Sequence, residues 1–193
     1  MSQRQKKRGG KKNNNIYLKS IINRTILLKY TNLGSNLDTS LLKSIERNIS
    51  GICIEEGFIR PNSIKILTYS NGVISGENVQ FDVVVECDVC NLSAGATINC
   101  FVENITKAGI KAKINDDYDP LIIFVARDHN YLNEDFDKIE IGSEILVKIL
   151  GQRFELNDTQ ISVIGKLNNH NDKPKITLSK EVALEEPNVE ILS

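Results

Sequence analysis

Two lysines, Lys111 and Lys113, alternate with Ile110, Ala112 and Ile114 directly behind the Lys107-Ala108-Gly109 turn, and the next apolar run, Leu121 to Arg127, carries Phe124 and ends on a cation. Side chains alternate faces along a strand, so both lysines share one face and the aliphatic residues the other. Cations that track phosphates beside a ring that stacks on bases are the chemistry of single-stranded nucleic-acid binding, and Lys111, Lys113, Phe124, Arg127 and Lys148 supply both kinds. The same pattern also fits a solvated face with Phe124 turned inward within "LIIFVA". Both readings stand at this level.

Other chemistries are poorly served. Cys87 and Cys90 form a lone C-x-x-C while Cys53 and Cys100 stand apart, and with only two histidines, His129 and His170, a four-ligand zinc site is not in view. The default for all four cysteines is a reduced thiol. Gly72 and Gly76 lack the spacing and the Lys-Ser/Thr of a phosphate loop. The acidic clusters Asp116-Asp117-Asp119 and Glu134-Asp135-Asp137 lack the glycine and terminal glutamate of a calcium loop and read as solvated loop residues. No catalytic constellation, metal site or cofactor is therefore expected.

A chain of 193 residues with 40% hydrophobic content can bury one large core or two small ones. Ile outnumbers Leu 26 to 18, which favours sheet structure because β-branched side chains suit a pleated surface. The net charge of −1 divides into +6 over the first twelve residues and −7 over the rest. Such a basic arm on an acidic body suits nucleic acid, an acidic partner or a localisation receptor, or simply keeps the chain in solution. No stretch approaches the ~18 apolar residues of a membrane span, and the N-terminus lacks the apolar core of a signal peptide, so a soluble intracellular protein with no membrane partner is expected.

Those residues must be positioned by few helices and many strands. Residues 1–14 lack apolar periodicity and read as a disordered arm. "IYLKSIINRTILLKY" suits a strand or two. In "SNLDTSLLKSIERNISG", Leu37, Leu41, Leu42, Ile45 and Ile49 fall on one helical stripe, with Ser35 or Asn36 to cap the start and Gly51 to end it. Short β-branched runs then follow to Val89, with Asn71-Gly72 as a tight-turn candidate. The interruption Asn91 to Gly95 marks a domain boundary. Beyond it, "ATINCFVENIT", "IKAKI", "LIIFVAR", "IEIGSEILVKILGQRF" and "QISVIGKL" give five strands with one long loop between the third and fourth, followed by "KITLS". Five strands so spaced match a closed OB-type barrel, whose second and third strands carry its oligonucleotide face. The expected layout is a basic arm at 1–14, an N-terminal domain at 15–91, a barrel domain at 92–180 and an acidic tail at 181–193.

Taken together, "LGSNL" before the helix, "ISGICIEEGFI" after it and "GVISGENVQFDV" before the boundary resemble the tip domain of the RNA polymerase stalk subunit, the seventh of eukaryotic polymerase II, with archaeal counterparts. Gly95, Val102, Ile105 and Lys107-x-Gly109 stand as in that family's first barrel hairpin. "FVARDHN" resembles its third-strand end, and "IGSEILVKILGQRFELNDTQISVIGKL" its last strands. The resemblance spans roughly Ile16 to Ser179. It implies an α+β, mostly β fold, with an RNP-like tip domain of antiparallel sheet and one helix followed by a five-stranded OB-fold barrel. It implies a non-catalytic subunit that docks on the polymerase core, faces nascent single-stranded RNA and pairs with a small helical stalk partner. Carried over, Lys111, Phe124, Arg127 and His129 fall on the RNA-facing surface, and the stretch from Leu33 to Phe58, with Leu33, Gly34, Asn36, Leu37, Gly57 and Phe58, meets the core.

Departures accompany the likeness. The family often has an aromatic residue straight after the hairpin glycine, where this chain has Ile110, and it commonly has a proline before the barrel, where this chain has Cys87 to Asn91. The arm is extra. Arm and Asn/Ile/Lys bias suit a divergent form, such as that of a large cytoplasmic DNA virus, acting in host cytoplasm or virion, whereas a cellular eukaryotic form would act in the nucleus. The competing expectation is a free OB-fold RNA-binding protein of the exosome-cap or translation-factor kind.

Overall fold

A computed structural model describes residues 16–34, 36–131 and 136–168. The basic arm, Ser35, Glu134, Asp135, His170, the run Lys175 to Ser179 and the acidic tail lie outside the described residues.

Strand β1 (Tyr17–Lys29) is one continuous strand of 13 residues, and β6 (Asn78–Cys90) matches it in length. The two pair antiparallel along their whole extent, from Tyr17 opposite Cys90 to Lys29 opposite Asn78. Along the other edge of β6 lie three short strands in turn: β5 (Val73–Ser75), β4 (Lys65–Tyr69) and β3 (Gly57–Ile59), with β2 (Cys53–Ile54) outside β3. Helix α1 (Leu37–Ile49) covers one face, because Leu41, Ile45 and Ile49 recur at four-residue spacing and are buried. They pack with Ile22, Ile26, Val83 and Val85, while Leu37 and Leu42 flank that stripe half-buried. Asn36 precedes the helix without a side-chain bond to it, and Gly51, at φ +75°, follows its last turn in the left-handed conformation that ends helices.

The chain does not reverse at Asn71-Gly72 as a tight turn. The sharp turn falls at Gly76, at φ +60°, between β5 and β6. Gly72 is there for space, since a Cβ would lie 2.6 Å from Val79 Cγ1 and 2.9 Å from the Phe81 ring.

The second half forms β7 (Thr97–Ile105), β8 (Gly109–Lys113), β9 (Leu121–Ala126), β10 (Glu144–Arg153) and β11 (Ile161–Leu167), which close into a barrel in the order β7-β8-β9-β11-β10. Its pairs are antiparallel except β9 with β11. A closed five-stranded barrel of this kind is consistent with an OB-like fold. Alternate residues, among them Val102, Ile110, Ile123, Val125, Val147 and Val163, fill its interior.

The two sheets share a core. Cys53 lies opposite Phe58, Phe58 opposite Cys90 and Cys90 opposite Tyr17, so these four stand in one row across the end of the first sheet. All four are buried in the same cluster as the barrel interior. Polar contacts ring the joint. The Tyr17 hydroxyl donates to the Tyr118 carbonyl at 2.5 Å, and Arg60 lies 3.3 Å from Asp116 with its guanidinium over the rings of Tyr17 and Tyr118. The Cys53 amide donates to the Asp158 carbonyl at 2.7 Å, while its carbonyl accepts from Asn157 at 2.9 Å.

All four cysteines are free and buried, and Cys87 and Cys90 occupy opposite faces of β6. Burial pushes the thiols of Cys90 and Cys100 up to about 12 and those of Cys53 and Cys87 up to about 11. A thiol raised on folding stabilises fully below its unfolded value, near 9, and loses that contribution as pH climbs toward the folded one. Urea unfolding between about pH 9 and 11 should therefore lose stability by up to about 1.4 kcal/mol per pH unit for each thiol, with Cys100→Ala flattening the slope by one such share. An unaltered slope in that variant would show that other groups govern the alkaline limb.

Candidate nucleic-acid interface

The outward residues of β8 and β9 make the face. Lys111 stands opposite Phe124, and Phe124 opposite Ile164 on β11, so a lysine, a ring and an aliphatic side chain lie in one row across three strands. Phe124 is not a core residue. It is half-buried on the outer surface between the inward Ile123 and Val125, and its ring reaches over Gly109, where a Cβ would lie 2.9 Å from Phe124 Cζ.

That approach also explains Gly109. The two-residue turn is Lys107-Ala108, closed by Thr106 and Gly109 through paired backbone bonds of 2.8 and 3.3 Å, so Gly109 already belongs to β8. A glycine is needed because any Cβ would lie 2.3 Å from the Val125 carbonyl oxygen as well as against the ring. Ile110, where the resemblance implies an aromatic residue, points into the barrel and is fully buried. Its identity therefore removes nothing from the outer face.

The lysines are not bare. The register of β7 against β8 slips between Val102 and Asn104, which leaves Glu103 as the extra residue of a bulge. Its carboxylate lies 2.8 Å from Lys111 Nζ and 3.9 Å from Lys113 Nζ. The hydrogen bond and charge of Lys111, then Lys113, hold the Glu103 carboxyl below the usual range. The exposed trio thus presents a net charge of +1 in place of the +2 that the lysines alone suggest.

The remaining expected residues divide. Arg127 begins a single-turn 3-10 helix, Arg127–His129, just past β9, and it is engaged: Nη1 lies 2.6 Å from Asp137, Nε donates to the Lys107 carbonyl at 3.2 Å, and the guanidinium stacks 4.8 Å over Phe136. It braces the loop before it offers anything to a ligand. His129 is exposed on the same turn. Lys148 does not join the face, because it lies on β10, two strands removed from β8, opposite Lys166 and Thr97. Strand order around the barrel separates it, which spacing along the chain does not reveal. Sequence reading missed Glu103 and Ile164; the outward period of "FVENIT" was a signal for Glu103, while nothing in the sequence signalled the bulge.

Of the six residues expected to meet a polymerase core, Gly34 and Asn36 are exposed and Leu33 and Leu37 half-buried. Gly57 and Phe58 require correction: both are buried, Phe58 in the joint with the barrel, so neither offers surface. Other apolar side chains are exposed toward the far end of the sheet, where Val73 and Ile74 of β5, on opposite faces, are 63% and 74% accessible, and Leu67 and Tyr69 of β4 are exposed as well. Thirteen-residue β6 puts that end about 40 Å from the joint at ~3.3 Å per residue.

Fold and face define a class: a mostly β protein whose closed OB-like barrel carries a small basic face with one ring. The chain is similar to a protein of Acanthamoeba polyphaga mimivirus named "Putative DNA-directed RNA polymerase subunit", 26% identical over 171 residues that cover 86% of this chain and 81% of that one. No family model matches. Among solved structures, an uncharacterised protein of Methanocaldococcus jannaschii aligns at TM-score 0.32 with 17% identity, over 40% of this chain and 95% of its own. GSP13 of Bacillus subtilis aligns at 0.34 with 16% identity, over 47% of this chain and 66% of its own. Likenesses of that degree carry no argument here.

Proposed function

We propose that this chain is a non-catalytic stalk subunit of a multisubunit DNA-dependent RNA polymerase of viral type, acting within the host cell. Its first sheet and helix serve as an RNP-like tip domain that docks on the polymerase core, its OB-like barrel faces nascent RNA, and a small helical subunit completes the stalk. The observation that carries the polymerase part of this reading is the likeness to the mimivirus protein, which extends over 86% of the chain and so takes in both sheets; the stalk role rests on the sequence resemblance. The exposed Val73 and Ile74 at the far end of the first sheet support docking, since large apolar side chains left open to water are stabilised by burial against a partner. Affinity purification of the full chain from its source cells should recover the two largest polymerase subunits; a preparation without them rejects the reading.

RNA binding rests on Lys111, Lys113 and Phe124. Replacing both lysines by Ala should weaken binding of oligo-uridylate and lower the log–log salt slope by about 0.7 for each phosphate that is no longer neutralised. Glu103→Gln should do the opposite, strengthening binding and steepening the slope, because the carboxylate that neutralises the lysines is gone. Slopes unchanged in both variants would reduce this face to a solvated surface.

A further inference from the structure

At the end of the first sheet farthest from the barrel, an open groove of about 700 Å³ separates α1 from the last residues of β1. Its charge is one-sided. Lys29 from β1 and Lys43 and Arg47 from α1 line it, with hydroxyls of Thr39 and Ser44 between them, and no Asp or Glu is among the described residues lining it. Lys43 and Arg47 are one helical turn apart and both exposed, and none of the three cations has an ion-pair partner among the described residues. Elsewhere among the described residues, several cations are held in ion pairs: Lys19 by Glu86, Arg24 by Glu56, Arg60 by Asp116 and Lys111 by Glu103.

We propose that this groove receives an extended acidic polypeptide segment of a partner protein. Like charges converging on one concavity repel one another until an anionic group enters between them, and that repulsion is relieved on binding. A polypeptide is favoured over a nucleic acid on two counts. The wall contributed by β1 contains its outer edge, since among the described strands β1 pairs with β6 alone, so backbone donors and acceptors within Leu27 to Lys29 face an incoming chain. Among the described residues, no aromatic ring lines the groove to stack a base. Leu27, 56% exposed at the rim, suits an aliphatic residue between the acids. The location deepens the docking reading, while the chemistry of the partner segment is new to it.

The test uses the full chain and a fluorescein-labelled peptide of alternating Glu and Val, followed by fluorescence anisotropy. The wild-type chain should bind it, Lys43→Glu with Arg47→Glu should weaken binding at least tenfold (about 1.4 kcal/mol or more), and Lys43→Ala with Arg47→Ala should fall between. Lys111→Ala with Lys113→Ala should leave it unchanged. Circular dichroism of these exposed-site variants reports whether each has folded. No binding by the wild-type chain, or binding insensitive to the charge reversal, overturns the proposal, as does oligo-uridylate displacing the peptide. If polymerase subunits co-purify while the peptide fails to bind, the groove proposal falls and the stalk reading stands; if the peptide binds and no polymerase subunit is recovered, the reverse holds.

Discussion

Gly109→Ala is expected to destabilise the barrel by about 3 kcal/mol, the upper end of what overpacking a well-filled site costs. The added methyl would lie 2.3 Å from the Val125 carbonyl oxygen and 2.9 Å from the Phe124 ring. A ring can swing aside, but the carbonyl cannot move without disturbing the pairing of β8 with β9, to which Gly109 and Ala126 belong. For a chain of this length that cost lowers the melting temperature by roughly 6 to 12 °C. Pairing Gly109→Ala with Phe124→Leu apportions the effect. If the ring is the main obstacle the double variant recovers most of the stability, and if the carbonyl is, the two effects add. A melting temperature unchanged by the single substitution would contradict the close approach itself.

Val73→Asp combined with Ile74→Asp is expected to abolish recovery of the large polymerase subunits, with affinity falling nearly a thousandfold, about 4 kcal/mol, if each side chain is an interface anchor worth about 2 kcal/mol. Folding should be spared, because every residue of β5 is exposed. The thermal melt serves as the control, and undiminished co-purification from a normally folded variant would move the docking surface elsewhere.

Much of this arrangement could be read along the chain, and the failures have a common cause. Leu41, Ile45 and Ile49 gave α1 because a helix returns to one face every three to four residues whatever it packs against. The five barrel strands were legible for the same reason, from alternation alone. Alternation says inward or outward but not beside which neighbour. It could not place Lys148 two strands from Lys111, nor turn Phe58 into the joint, because both outcomes depend on pairings between distant segments. Glu103 was hidden differently: a bulge shifts register by one residue, so the same letters aim a carboxylate at two lysines. Asn71-Gly72 misled through composition, since Gly72 answers to the Phe81 ring and not to a turn.

The joint has a mechanical consequence. Tyr17, Cys53, Phe58 and Cys90 are interior residues for both sheets at once, so no hinge can open there without flooding buried thiols and unstacking Arg60 from two rings. The shared core couples the two sheets. A displacement of the barrel that leaves this shared core intact therefore carries with it the turn around Gly76, some 40 Å away.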